Sequence, residues 1–311
     1  VIVGCGKVGL SLVEKLSEEG NDITVIDPDP DKIQTVTNQY DVIGIVGSGA
    51  NFDTLQQAGI SDTDIFIAVT GSDELNLLCC IVAKRTSDCA AIARVRSPEY
   101  SAESNYFKEK LGLAMVINPE MASADKIARN LSLPAAIGVS RFARGRAEIL
   151  RIRIPEGNML HNRLLSELSE ELRGNVLICG VERNGEVYIP SGSFRLQQGD
   201  ELSFVCPSLD SKAFLGRVGF DAEPARQVMI VGGSRAAYYL ARALLDSGVQ
   251  VRILEIDYRR CMELSELLPQ AVILHGDGTD ASVLREAGIE HMDALVALTG
   301  IDEENILLSL H

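Results

Sequence analysis

The first 117 residues alternate between short, continuously apolar runs and stretches in which apolar residues recur every three or four positions. The second spacing indicates amphipathic helices, and the uninterrupted runs indicate strands covered on both faces. This alternation predicts an α/β domain with a parallel, doubly wound, Rossmann-like sheet. The predicted strands are residues 1–3, 23–26, 42–46, 65–69, 90–95 and 115–117, and the predicted helices are residues 7–19, 53–58, 73–85, 102–111 and one that starts at residue 32.

The pattern changes in the middle of the chain. Residues 118–136 have helical spacing and are predicted to leave the first domain and pack elsewhere, with a solvent-exposed connecting helix as the alternative. A small α+β domain of about 70 residues is predicted next, since Asn184 and Gly185 form a strong hairpin signal. Its predicted strands are residues 149–154, 176–181, 186–190 and 201–205, and its predicted helices are residues 161–172 and 212–218.

The apolar pattern of the first domain then returns. Residues 229–237 repeat the pattern of residues 1–9, and twelve of thirty positions are identical between residues 52–81 and 281–310. A repeat at a fixed period sets the domain plan. We predict two Rossmann-like domains that flank the small one, with the second truncated and the chain a fragment. The boundaries are residues 1–130 with a crossover helix to about 138, residues 147–219, and residues 226–311 after a linker at 220–227.

Composition narrows the class of protein. The formal net charge is −15, which opposes binding to nucleic acid or anionic lipid. No apolar run reaches the roughly 18–20 residues that span a bilayer, so direct membrane insertion is not expected. The seven cysteines contain no C-x-x-C pair and the four histidines are scattered, so we expect reduced, buried thiols and no metal site.

A dinucleotide-type glycine motif opens the chain. Gly4, Gly6 and Gly9 follow the first predicted strand and lead into a helix, and Asp27 ends the second strand. Such glycines allow a tight turn, close approach of a pyrophosphate and helix–sheet packing, while the helix N-terminus favours the phosphate charge. A carboxylate at the end of the second strand binds ribose hydroxyls and repels a 2′-phosphate. Asp27 therefore favours NAD or an adenine nucleotide over NADP; capping of the turn at Pro28 is the structural alternative.

The loop after the fourth strand is predicted to face the glycine motif across the crevice. It contains Thr70 and Gly71. Asp73, Glu74 and Asn76 start the next helix, and either they cap it or they contact the ligand. Arg94 and Arg96 alternate at the end of the fifth strand. One of them is expected to face the crevice, where it can meet a phosphate, and the other to face solvent or a partner.

The second copy departs from the motif. Gly232 keeps the first glycine and Ala237 replaces the third, but Ser234 places a side chain where the pyrophosphate would press closest. Glu255 takes the position of Asp27, and Thr299 that of Thr70. We therefore expect a weaker, altered or empty second site. No Walker-type G-x-x-x-x-G-K-[ST] motif is present, which argues against P-loop hydrolysis.

No catalytic constellation accompanies these motifs. Residues 147–219 contain one histidine, His161, and no nucleophile–base pair is recognisable in the chain. Two nucleotide-type modules without attached chemistry suggest sensing rather than turnover. An NAD-dependent oxidoreductase with a duplicated Rossmann domain is the alternative function, and an assembly protein with degenerate modules is a third.

These domains, in this order, resemble the regulator-of-potassium-conductance family, also called RCK or KTN. In particular, the chain is similar to the tandem members that are peripheral subunits of the Trk potassium-uptake system; relative to these, the second small domain and the end of the second Rossmann unit are absent. The likeness is carried by residues 3–9, 67–76 and 93–100, and in the small domain by Arg183, Pro190, Gly199 and Asp200.

The resemblance implies a cytoplasmic, homo-oligomeric ring, built as a tetramer of tandem chains, on the inner face of the cell membrane. Its partner would be a membrane potassium-transport subunit of the TrkH/TrkG kind, gated by NAD(H) or by ATP/ADP. The small domain would be a dimerising unit. The implied first site is Gly4, Cys5, Gly6, Lys7, Val8, Asp27, Thr70, Gly71 and Arg94, and the implied second site is Gly232, Gly233, Ser234, Arg235, Ala236, Glu255 and Thr299.

Overall fold

A computed structural model describes residues 1–143, 146–168, 176–207, 210–220 and 223–310. The chain forms two compact units, Val1–Ala122 and Ser123–His311. The first contains a parallel six-stranded sheet in the order β3-β2-β1-β4-β5-β6, which confirms the predicted doubly wound fold. Its strands are β1 Ile2–Val3, β2 Thr24–Asp27, β3 Ile43–Val46, β4 Ile65–Ala68, β5 Ala90–Arg94 and β6 Met115–Ile117, and its helices are α1 Lys7–Glu18, α2 Pro30–Gln39, α3 Phe52–Gln57, α4 Asp73–Thr86, α5 Pro98–Ala102 and α6 Ser104–Leu111.

Local sequence explains where these helices begin. Asp29, Asn51 and Ser72 are N-caps whose side chains accept a backbone N–H from the first turn of α2, α3 and α4. The predicted helix at residues 102–111 is present as α6, and a further helix, α5, precedes it from Pro98, a residue suited to a first helical turn.

A five-stranded antiparallel sheet in the order β10-β9-β11-β8-β7 forms the middle of the chain. The predicted strands are present, and the sheet takes in one more, β7, which precedes the predicted start at residue 147 and pairs with β8 along its length. The domain boundaries themselves stay a prediction. The elements are β7 Gly138–Phe142, β8 Ala147–Arg153, β9 Leu177–Arg183, β10 Glu186–Tyr188, β11 Glu201–Pro207 and the helix α8 Ser211–Arg217.

The helix predicted at residues 161–172 is wrong in its described part. Only Leu165–Glu167 forms a single 3-10 turn, and residues 169–172 lie outside the described residues. The N–H groups of Leu165 and Ser166 bond to the carbonyls of Phe194 and Gly192. Since these donors pair with another segment, they cannot build an α-helix.

A buried ion pair holds the hairpin side of this sheet. The guanidinium of Arg183 donates to both oxygens of Asp200 at 2.6 and 2.7 Å, and Asp200 is fully buried. Asp200 also accepts the N–H of Gln197 at 2.8 Å, and Arg183 lies over the ring of Phe194. Because the pair is bidentate and is supported by further hydrogen bonds, it fixes the end of β9 against the turn before β11.

Residues 227–309 repeat the first fold in shorter form. The parallel strands follow the order β14-β13-β12-β15, which matches β3-β2-β1-β4 of the first sheet. The crossover helix α7 Pro119–Ser132 packs its later turns, including Ala124, Ile127 and Leu131, against this second sheet's core. The elements are β12 Gln227–Val231, β13 Gln250–Glu255, β14 Val272–His275, β15 Ala294–Ala297, α9 Arg235–Asp246, α10 Tyr258–Leu267, α11 Ala281–Glu286 and α12 Asp302–Ser309.

We expect Gly9→Ala to destabilise the protein. A Cβ at Gly9 would stand 1.9 Å from the carbonyl oxygen of Gly4, so the first turn of α1 would have to move away from the sheet. Such overpacking typically costs about 1–3 kcal/mol, enough to offset the better helix propensity of alanine. Urea unfolding measures the change. Gly6→Ala is the matched control, because a Cβ there meets nothing within 4 Å; equal stability of the two variants would contradict the prediction.

Candidate functional site

The glycine motif forms the turn between β1 and α1. Gly4 has φ +104°, and a Cβ there would lie 3.0 Å from the backbone of Val69 and Thr70, so the position requires glycine. Gly6 is the N-cap of α1 and offers no side-chain acceptor to the first turn. A Cβ at Gly6 would meet nothing within 4 Å, so open space lies over this helix N-terminus.

Asp27 fastens this turn to the second strand. One of its oxygens accepts the N–H of Cys5 at 2.8 Å and the other accepts the N–H of Asp29 at 3.0 Å. The side chain is only 5 % exposed. The structure thus shows the capping role, and each carboxylate oxygen keeps a second acceptor position for a ribose hydroxyl. Ribose binding by Asp27 stays a prediction.

The remaining predicted residues of this loop, Cys5, Lys7 and Val8, differ in exposure. Lys7 is exposed at the start of α1, and Val8 packs into the apolar cluster of Ile2 and Val13. Burial, with a smaller contribution from the Asp27 carboxylate, raises the pKa of the Cys5 thiol to about 11. Cys5 is therefore a neutral, buried thiol at physiological pH and unsuited to act as a nucleophile.

The opposite wall of the crevice is organised by Asn76. Its side-chain oxygen accepts both the N–H and the hydroxyl of Thr70 at 2.7 Å, and its amide donates to the carbonyl of Arg94 at 2.9 Å. Asn76 is fully buried. It therefore ties the ends of β4 and β5 together, a role distinct from both capping and direct ligand contact. A Cβ at Gly71 would meet nothing within 4 Å, so the tip of this loop is open.

Both arginines at the end of β5 are paired with carboxylates. Arg94 forms an ion pair with Glu120 at the start of α7, and Arg96 pairs with Asp73 and donates to the carbonyl of Gly71. Their side chains are 14 and 16 % exposed, so neither is fully open to solvent, and the expectation that one of them faces a partner stays a prediction. Local pattern does not indicate Glu120 as this partner, because it lies 26 residues further along the chain.

The second copy holds its glycine turn to the second strand in the same way, with a glutamate in place of Asp27. Glu255 accepts the N–H of Gly233 and, at 2.7 Å, that of Asp257. A Cβ at Gly233 would stand 2.7 Å from the Glu255 carboxylate, so glycine in place of Cys5 makes room for the longer side chain. Thr299 donates its N–H and hydroxyl to Asn305 at 2.8 and 2.9 Å, as Thr70 does to Asn76.

The start of α9 differs most from its counterpart. Gly232 keeps the left-handed turn at φ +100°, but Ser234 is an N-cap whose hydroxyl accepts the N–H of Ala237 at 3.2 Å. Arg235 is exposed and Ala236 half-buried. A cavity of about 650 Å³ opens between this turn, the end of β13 and the loop after β15.

Comparison with known proteins places this geometry in a family. Residues 1–119 and 228–311 match the family model of the TrkA-N domain, and residues 149–217 match that of the TrkA-C domain. The Trk system potassium uptake protein TrkA of Haemophilus influenzae is 33 % identical over 314 residues, which are 100 % of this chain and 68 % of that protein. This chain belongs to the TrkA family. The TrkA homolog of Archaeoglobus fulgidus is 34 % identical over 310 residues, covering 100 % of this chain and 70 % of that protein.

Solved structures share the fold. The GsuK RCK domain superimposes with a TM-score of 0.72 at 20 % identity, over 99 % of this TrkA-family chain and 65 % of that one. The GsuK channel bound to NAD gives 0.72 at 20 % identity, over 99 % and 54 % of the two chains. The chain thus spans less than two thirds of these structures, and at such identities the likeness establishes the tandem RCK fold alone.

Two absences apply to the residues that the structure describes. No group of three or more His, Cys, Asp or Glu side chains is arranged to hold a metal ion. Within the same residues, no helix is both long and apolar enough to cross a bilayer.

We expect Asp73→Asn to flatten the acid side of the stability profile. Burial acts to raise the pKa of the Asp73 carboxyl, but the N–H groups of Ser97 and Arg96 and the Arg96 side chain outweigh it and lower the pKa. A carboxyl with a lowered folded-state pKa stabilises above its unfolded pKa of about 3.9, and that stability is lost as pH falls through the folded value.

Urea unfolding between pH 6 and 3 measures the effect. The wild-type free energy of unfolding should fall more steeply below about pH 4 than that of the variant. Asp41→Asn changes an exposed acid and is the matched control. Parallel curves for wild type and Asp73→Asn would refute the assignment.

Proposed function

We propose that this TrkA-family chain is a nucleotide-sensing regulatory subunit that binds NAD(H), or alternatively ATP/ADP, at the first glycine loop and gates a membrane potassium transporter. The names of its relatives support the potassium-uptake role. Of the structures with the same fold, one is a GsuK channel bound to NAD and another is GsuK bound to ADP, the latter with a TM-score of 0.59 at 16 % identity. These support a nucleotide as the ligand class.

The open N-terminus of α1 is the observation that carries the proposal. Gly6 provides no side chain to satisfy the first N–H groups of the helix, and the space above it accepts a group that approaches the backbone closely. A diphosphate fits that place, because helix N-termini favour negative charge and donate several N–H groups. Asp27 stands at the end of β2, where its remaining acceptor positions can take ribose hydroxyls and its charge disfavours a 2′-phosphate.

The ion pair of Arg94 and Glu120 is the contact through which we expect nucleotide binding to reach the crossover helix. It joins the end of β5 to the start of α7, and Asn76 links the Arg94 backbone to the Thr70 loop. Arg94 Nε and Glu120 Oε2 are buried without a hydrogen-bond partner among the described residues. A phosphate that reached Arg94 would compete with Glu120 and release the start of the crossover helix. A ligand gates only through such a difference in affinity between two states.

Membership of the family supports a proposal for assembly and location. We propose a homo-oligomeric, tetrameric ring at the cytoplasmic face of the membrane, docked on a potassium-transport subunit of the TrkH/TrkG kind. The exposed apolar side chains of Leu177, Val187 and Ile189 on the β9–β10 edge support pairing of small domains between copies. The proposal includes no turnover, because no nucleophile–base pair is recognisable in the sequence.

We expect Gly6→Ala to weaken the binding of ADP and NADH by about tenfold or more, equivalent to about 1.4 kcal/mol. The added methyl group meets nothing in the protein but occupies the space into which the diphosphate must move. Isothermal titration with NADH, NAD, ATP and ADP measures the affinities. Gly216→Ala, another position with open space around its Cβ, is the matched control. If no nucleotide of the four binds below about a millimolar, sensing at this loop is ruled out.

Gating is tested with the membrane subunit present. We expect nucleotide to change potassium flux through vesicles that contain the transport subunit and this protein. In Gly6→Ala, the subunit should still co-purify, because the assembly surfaces are untouched, but flux should no longer respond to nucleotide. Loss of association in this variant, or an unchanged response, would argue against control through the first loop.

A further inference from the structure

The second cavity keeps the architecture of a nucleotide site but lacks an open phosphate position. Its glycine turn, its carboxylate at the end of the second strand and its Thr299–Asn305 pair repeat the first copy. Its volume of about 650 Å³ falls within the range of about 300–1,000 Å³ of small-molecule sites. The differences from the first copy therefore bear on which ligand enters, rather than on whether a site exists.

The helix N-terminus is already occupied by a side chain. Ser234 Oγ accepts the N–H of Ala237, a bond that Gly6 cannot make at the start of α1. The Ser234 side chain also stands where a pyrophosphate would approach the backbone. Arg260 also binds the glycine turn, since its Nε donates to the carbonyl of Gly233 at 2.7 Å and its guanidinium donates to Glu263 at 2.8 Å.

The charge of the lining opposes a diphosphate as well. Four carboxylates and one guanidinium line the cavity: Glu255, Asp257, Asp277, Glu304 and Arg260. A surplus of negative charge in a confined space repels each added phosphate charge. Glu255 nevertheless retains acceptor positions for ribose hydroxyls, and Ile256 and Ile301 offer apolar surface at the cavity for a base.

We propose that the second cavity binds a ribonucleoside that bears no more than one phosphate, whereas the first loop takes diphosphate-containing nucleotides. This proposal rests on the proposed nucleotide-sensing function and divides its ligands between the two repeats. The chain would then respond to two ligands at once. It would bind a diphosphate-containing nucleotide at the first loop and a nucleoside or nucleoside monophosphate in the second cavity.

Two equivalent glycines allow each site to be blocked separately. Gly71 and its counterpart Gly300 are both exposed, and a Cβ at either would meet nothing within 4 Å. Gly300 lines the second cavity. Gly71→Phe should therefore fill the first crevice and Gly300→Phe the second, with little cost to folding, which thermal unfolding of each variant verifies.

Titration of Gly71→Phe with AMP, adenosine and ADP tests the second cavity alone. We expect AMP or adenosine to bind at least tenfold more tightly than ADP, and this binding to disappear when Gly300→Phe is added. The substitution Ser234→Gly, made in the Gly71→Phe protein, removes the N-cap hydroxyl of α9 and should improve ADP binding at least fivefold. The converse variant, Gly300→Phe alone, should bind ADP as wild type does.

The outcomes separate the two proposals. If Gly71→Phe binds ADP as tightly as AMP, or binds none of the three probes, the division of ligands between the repeats is wrong. If wild type and Gly300→Phe bind no ADP or NADH while Gly71→Phe binds AMP, the first-loop function fails and the inference about the second cavity stands.

Discussion

Both Rossmann-like halves depend on one hydrogen bond from the glycine turn to a carboxylate at the end of the second strand. Cys5 donates its N–H to Asp27 in the first half, and Gly233 donates to Glu255 in the second. The bond holds the turn against the sheet and so aims the N-terminus of the following helix at the crevice. Because the carboxylate accepts backbone N–H groups of the protein itself, the glycine turn is held in place, and the proposed ligand would not have to order this loop.

The two halves keep this bond by compensating changes. Glutamate is one methylene longer than aspartate, and the missing side chain at Gly233 leaves the space that its carboxylate needs. Ser234 also satisfies a helix N–H, whereas Gly6 provides no side-chain acceptor at the start of α1. Such changes preserve the fold while changing the groups at the crevice, so the two repeats need not bind the same ligand.

The sequence predicted those parts of the structure that depend on local spacing. The glycines, Asp27 and the alternating apolar strands lie within short windows, so periodicity and motif were sufficient to infer the first sheet and the repeat. The strand at Gly138–Phe142 and the partner of Arg94 were missed, because each is determined by a segment distant in sequence: β8 in the first case and Glu120 in the second. The helix proposed near residue 161 failed for the same reason, since its backbone pairs with residues 192–194.

Asn76 links the loop after β4 to the end of β5 in the first half. Asn76 binds the N–H and hydroxyl of Thr70, and through the Arg94 carbonyl it also reaches the strand whose side chain pairs with the crossover helix. A ligand that shifts the Thr70 loop must therefore strain this fully buried amide or move β5 with it, because an unpaired buried amide costs about 1–3 kcal/mol. That penalty is comparable to the coupling free energies of about 1–3 kcal/mol that are typical of allosteric proteins. Under the proposed function, occupancy of the crevice would therefore reach Arg94 and Glu120 without any large rearrangement of the sheet.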